Sequence, residues 1–245
     1  MHCSATVGRV RRSVPALAAA LALVAAGCSE SQLRTGTDRI GTRPIERIRG
    51  YAARVPPNTT VALRANPGGR VLARIRARTE FGSPQTLAVA FRRGDWIAVR
   101  SPALRNRQVG WVPADTVRLL RRSVRIEIDL SEHTLTLIER GVIYRRDAVA
   151  IGSAETPTPP GAFYVTDKLP GADFGAYYGC CILALSGRQP ELPEGWSGGD
   201  RLAIHGTPTP DYGKAVTNGC LHLPGEVLQV LMRDVPLGTP VHIRA

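Results

Sequence analysis

The stretch RLAIHGTPTPDYGKAVTNGCLH, residues 201–222, decides how the rest of the chain is read. Leu202-Ala203-Ile204 is an apolar run of strand length that ends at His205-Gly206. A polar connection follows, and the chain then reaches Thr217-Asn218-Gly219-Cys220-Leu221-His222. A thiol attacks as thiolate, and a free cysteine with a pKa of about 8.5 is only a few per cent ionised at neutral pH. An imidazole that takes the proton corrects this, so Cys220 as nucleophile with His205 as base is the minimum apparatus for acyl transfer. Gly219 allows neighbouring backbone N–H groups to converge on a developing oxyanion. Taken alone, a histidine and a cysteine 15 positions apart would serve equally well as a structural pair.

The flanking sequence changes that balance. Upstream stand Gly152 and Thr156-Pro157-Thr158-Pro159-Pro160-Gly161-Ala162-Phe163-Tyr164; downstream stands Pro236-Leu237-Gly238-Thr239-Pro240-Val241. Together with His205-Gly206 and Thr217-to-Leu221, these segments resemble the L,D-transpeptidase catalytic domain (YkuD-like) over residues 123–245. The resemblance implies that Cys220 forms a thioester with a peptidoglycan stem tetrapeptide, releases D-alanine, and passes the acyl group to an acceptor amine as a 3→3 cross-link. It also implies acylation by carbapenems and needs no cofactor. The carbonyl of Gly206 would orient the imidazole, and the N–H groups of Gly219 and Cys220, with Asn218, would form the oxyanion hole. Thr217 would brace the loop at the substrate. Asn218 stands where the family has histidine, and His222 where it has arginine or asparagine, so donor preference is open. A neutral His222 would hold a donor carboxylate less well than arginine does. A hydrolase on the same nucleophile and base, or a wall-binding lipoprotein with an idle second domain, are the alternatives.

Within residues 123–245, Val124, Ile126, Ile128 and Leu130 alternate with polar residues, as in a half-buried strand. Leu135 and Leu137 repeat the period, Glu139-Arg140-Gly141 turns the chain, and later runs add strands up to Val241-His242-Ile243. Glu226–Arg233 is the one helix, with Val227, Leu228 and Leu231 on one face. The expected fold is therefore mostly β.

Residues 51–120 read as short strands between turns, notably Asn66-Pro67-Gly68-Gly69 and Arg93-Gly94-Asp95. With Gly94-Asp95-Trp96, and Asn106 before Gly110-Trp111-Val112-Pro113, the pattern resembles bacterial SH3-like barrels, which bind wall peptides. Trp96 and Trp111 either line a groove or fill a core with few other large residues, and the second is the expectation.

Arg9, Arg11 and Arg12 precede the apolar run Val14–Ala26, which is too short to span a bilayer comfortably. Val24-Ala25-Ala26-Gly27-Cys28 resembles a lipobox, so residues 1–27 read as a lipoprotein signal peptide and residues 28–50 as a lipidated N-terminus and polar tether. Acylation of Cys28 would hold an exported protein on the membrane, facing the periplasm or wall. The chain carries a formal +12, of which +9 remains beyond residue 27. Such a balance favours anionic surfaces, but no basic block is interleaved with aromatics, so nucleic acid is not an expected partner. No cysteine–histidine spacing fits a closed zinc site, and no metal is expected. Cys180 and Cys181 are adjacent, a spacing at which a bridge strains the peptide, and are expected as small buried side chains. Nothing in the sequence fixes the oligomeric state.

Overall fold

The alternation of Val124, Ile126 and Ile128 with Arg125, Glu127 and Asp129 becomes a strand, Val124–Asp129, whose first set is buried and whose second set is half-exposed. The computed structural model describes residues 43–245; the signal-peptide and Cys28 readings lie outside them. The molecule is mostly β, with one α-helix among the described residues, Gly225–Asp234. That helix buries Val227, Leu228 and Leu231, as its 3–4 spacing requires.

The larger sheet runs in the order Val142–Ala148, Thr134–Glu139, Val124–Asp129, Pro240–Arg244, Gly161–Pro170, Cys181–Arg188, Arg201–His205, Leu221–His222. Most neighbours are antiparallel, but Val124–Asp129 with Pro240–Arg244 and the last pair are parallel. Its core is built of Ile, Leu and Val from both ends of the sheet together with the helix.

The preceding residues form a second sheet in the order Val71–Arg76, Thr60–Arg64, Gly110–Pro113, Trp96–Val99, Thr86–Arg93, Tyr51–Arg54, Arg118–Arg121. Pairing begins at Glu46–Arg47, inside the stretch read as a tether, where Arg47 opposes Phe91. The Pro67-Gly68-Gly69 turn forms with Gly68 at φ +71°. Trp111 is buried, as expected for a core role, whereas Trp96 is only half-buried.

The described residues make one compact unit in which the two sheets share side chains. Tyr164, on the strand Gly161–Pro170, is fully buried among Leu63, Leu87, Ile97 and other residues of the smaller sheet. Asn106 closes the seam: its Nδ2 donates to the Arg188 carbonyl (2.6 Å), and its Oδ1 accepts the Arg188 N–H (3.0 Å). Its amide thus stands in for one further strand residue. Losing both bonds in Asn106→Ala should cost about 1–3 kcal/mol and lower the Tm by about 2–10 °C. Asn106→Asp, which keeps the acceptor but turns a carboxylate oxygen on the Arg188 carbonyl, should melt no higher than the alanine variant.

Candidate active site

His205 and Cys220 come from neighbouring strands. His205 ends Arg201–His205, and Cys220 immediately precedes Leu221–His222, which pairs in parallel with Ile204 opposite Leu221 and His205 opposite His222. A parallel pair needs a crossover, and residues 206–220 supply it, bringing the thiol back beside the strand that carries the imidazole.

His205 is 1% exposed, and its Nδ1 lies 2.6 Å from the Gly206 carbonyl, the orienting contact anticipated from sequence. A short path fixes that carbonyl. Gly206 N–H donates to the Tyr178 carbonyl (3.0 Å), and the bond is possible because Gly206 and Gly179 meet backbone to backbone. A Cβ on Gly206 would stand 2.9 Å from the Gly179 Cα, and Gly179 itself sits at φ +63°. Burial, then the charge of His222, pushes the His205 imidazole down to about 4, against the opposing pull of the Gly206 carbonyl and Asp211. Burial likewise pushes the Cys220 thiol up to about 11. The resting pair is therefore a neutral imidazole and a neutral thiol. Sγ rests 3.9 Å from the Arg201 carbonyl, and among the described residues no hydrogen bond joins it to His205.

The cysteine loop is tied down by side chains distant in sequence. Thr217 is buried, and its hydroxyl donates to the Cys220 carbonyl (2.6 Å) while accepting the Gly219 N–H (3.1 Å). This corrects the expected role of Gly219: its N–H is already taken, which leaves the Cys220 N–H as the loop's donor to an oxyanion. What Gly219 supplies is conformation, with φ at +102°. Thr156 Oγ1 donates to the Thr217 carbonyl (2.9 Å) and Thr158 Oγ1 to the Gly219 carbonyl (3.0 Å), so the threonine-proline segment quoted above clamps the nucleophile loop. Gln189, which no sequence pattern singled out, is buried against the same loop. Its Nε2 approaches the carbonyls of Thr156 (3.1 Å), Pro157 (3.0 Å) and Asn218 (3.3 Å).

Asn218 is exposed, with its Oδ1 3.4 Å from Thr156 Oγ1. His222 lies elsewhere than an arginine-like contact to a donor carboxylate requires. It is 2% exposed, its ring centroid is 4.6 Å from that of His205, and its Nδ1 meets Asp211 Oδ2 at 2.9 Å. The parallel register with His205 puts it inside, where it backs the imidazole. Two aromatics were also missed. Tyr178 and Tyr177 stand over the pair, with ring centroids 4.9 and 5.8 Å from His205. They belong to a 3₁₀ turn, Ala176–Tyr178, that precedes the strand Cys181–Arg188. Cys180 is exposed and Cys181 buried, and their sulfurs are joined in a disulfide, against the expectation of two buried thiols. Cys220 is the one free cysteine among the described residues, and these contain no His, Cys, Asp and Glu grouping suited to a metal ion.

Comparison with known proteins bears on the second half of the chain. Residues 123–243 match the YkuD family profile, described as the L,D-transpeptidase catalytic domain. The chain is 34% identical over 122 residues to the YkuD protein of Bacillus licheniformis and 33% identical over 121 residues to that of Bacillus subtilis. The matches take in 49% and 48% of this chain and 64% of each relative's length. Similar solved structures include the catalytic domain of the Enterococcus faecium L,D-transpeptidase, with 27% identity, a TM-score of 0.36, and coverage of 49% of this chain and 96% of that one. Another is an L,D-transpeptidase from Mycobacterium smegmatis, with 19% identity, a TM-score of 0.40, and coverage of 61% and 91%. On the sequence match, residues 123–243 form an L,D-transpeptidase catalytic domain of the YkuD family.

Proposed function

We propose that this chain is a peptidoglycan L,D-transpeptidase that works by ping-pong acyl transfer through Cys220. The observation that carries the reading is the seating of His205: a buried imidazole whose Nδ1 is engaged by the Gly206 carbonyl, beside the strand that follows Cys220. With Nδ1–H donating to that carbonyl, Nε2 carries the free lone pair and can take a proton. As Sγ attacks the carbonyl of the third stem residue, the thiol proton passes to Nε2, and the oxyanion forms against the Cys220 N–H. Collapse expels D-alanine, which leaves as the amine after taking the proton back from His205. An acceptor amine then attacks the thioester, giving a 3→3 cross-link and restoring the thiol. No step requires a metal or cofactor. The smaller sheet is read as an SH3-like module that presents wall peptide, and the chain as exported and held to the membrane through acylated Cys28.

A chain starting at Ser29 and its Cys220→Ala variant, incubated with disaccharide-tetrapeptide and followed by mass spectrometry, test the reading. The parent should release D-alanine and build dimers, and the variant should do neither. Release without dimers would mean that water is the acceptor and the domain acts as a carboxypeptidase. Identical behaviour of the two proteins would remove Cys220 from the chemistry.

A further inference from the structure

Between the two sheets lies a concavity of about 630 Å³, lined in part by Arg47, Arg49, Arg100, Arg122 and Arg125. It contains none of the residues assigned above to the cysteine chemistry. Among the described residues Glu127 is the only acid in its wall, and its carboxylate is already bonded to Arg125 Nε at 2.8 Å. Five guanidiniums and one carboxylate leave a net charge of +4 in one hollow. A solvated basic face spreads its charges outward, where water and salt screen them, but a concave wall holds them together and focuses their field.

Several of these side chains are held in place. Arg100 Nε donates to the Ala162 carbonyl (2.8 Å), Arg122 Nε to the Leu237 carbonyl (2.8 Å), and the Arg47 guanidinium lies 5.7 Å over the Phe91 ring. Arg122 Nη1 also donates to the Arg121 carbonyl (2.8 Å); these ties still leave N–H groups for a ligand, so little rotamer freedom would be lost on binding. The crowding of like charge shows in the groups themselves. Burial, then the charge of Arg47, lowers the Arg100 pKa. His242, also in the wall, is held down by burial and by Arg100, Arg49 and Arg125, against Glu127. An anion seated here relieves that repulsion. A lone carboxylate satisfies one fork, whereas a phosphate offers three acceptor oxygens and up to two charges and can engage several forks at once.

We propose that this concavity is a binding site for a phosphate-bearing ligand. The group could reach it as the headgroup of an anionic phospholipid or as a soluble phosphate ester, and the chemistry of recognition is the same for both. The segment Arg47–Gly50 forms one wall, so the site lies where the chain enters from its N-terminal residues.

The test uses the full chain, its Arg49→Glu and Arg125→Glu variants, and Arg105→Glu as a control. Arg105 is exposed and outside the cavity, so the control carries the same charge change elsewhere. Calorimetry with inorganic pyrophosphate at about 0.15 M salt, where exposed charges are well screened, should show saturable binding to the parent and the control. Affinity should fall at least about tenfold in each cavity variant, the loss of about 1.4 kcal/mol or more. Co-sedimentation with phosphatidylglycerol vesicles, against phosphatidylcholine vesicles as baseline, identifies the source. Preferential sedimentation that pyrophosphate competes away supports a headgroup ligand. Pyrophosphate binding with no preference between vesicles supports a soluble one. Absence of binding in both arms, or equal loss in the Arg105→Glu control, overturns the site.

Discussion

A His205→Ala variant should acylate from a stem tetrapeptide about 10²–10⁴-fold more slowly than the parent at pH 7. The reason lies in the thiol's surroundings. With its pKa pushed up to about 11 by burial, only about one Cys220 in ten thousand would be ionised at pH 7 without help. The parent avoids this deficit by moving the proton to His205 during attack, so its rate should follow the protonation state of the base. Because the imidazole is pushed down to about 4, His205 is neutral and competent at every pH above that value and is lost only as pH falls through it. Single-turnover acylation followed by intact-protein mass spectrometry should therefore be level from about pH 5.5 to 8 in the parent, with its acid limb near 4. The variant should instead gain about tenfold per pH unit as hydroxide replaces the base. An acid limb between 6 and 7 in the parent would mean that burial does not hold the His205 imidazole below its ordinary range.

The second large effect is expected at Gly219. A Gly219→Ala variant places a Cβ 2.1 Å from Gln189 Nε2 and 2.9 Å from its Cδ, at a backbone φ of +102° that alanine rarely adopts. Gln189 cannot easily withdraw, since its amide nitrogen is shared among three backbone carbonyls. The loop must shift instead, carrying the Cys220 N–H and Sγ with it. A fall in kcat of about 10²–10³ is expected, the size seen when an oxyanion donor is misplaced, with a smaller change in KM. Adding Gln189→Ala removes the clash but not the backbone strain. The double variant should regain part of the lost kcat, and the two substitutions should be non-additive. Strict additivity would show that Gln189 does not position the loop.

These two sites differ in how far the sequence revealed them. The strands were legible wherever one face is buried and the other wet: Val124–Asp129 alternates because only its inward residues meet the core. The short pairings Glu46–Arg47 and Arg118–Arg121 carry no such signal, because most of their residues are exposed and nothing selects apolar side chains. His205, Gly206 and Cys220 could be found because their chemistry confines them to a local pattern. Gln189, Tyr177 and Asp211 could not, since each meets the site through the fold and none belongs to a short motif. His222 was misplaced for a related reason. Two residues from the nucleophile in sequence suggests a place at the substrate, but the strand register turns the side chain inward.

The bond between Cys180 and Cys181 bears on a third residue that it does not touch. Where thiols oxidise, the three cysteines of the described residues can pair in three ways, and two of those pairings would consume Cys220. Joining immediate neighbours leaves Cys220 as the odd thiol among the described residues. The vicinal pair would thus act as a chaperone of redox state, occupying the two thiols that the described residues could otherwise set against Cys220.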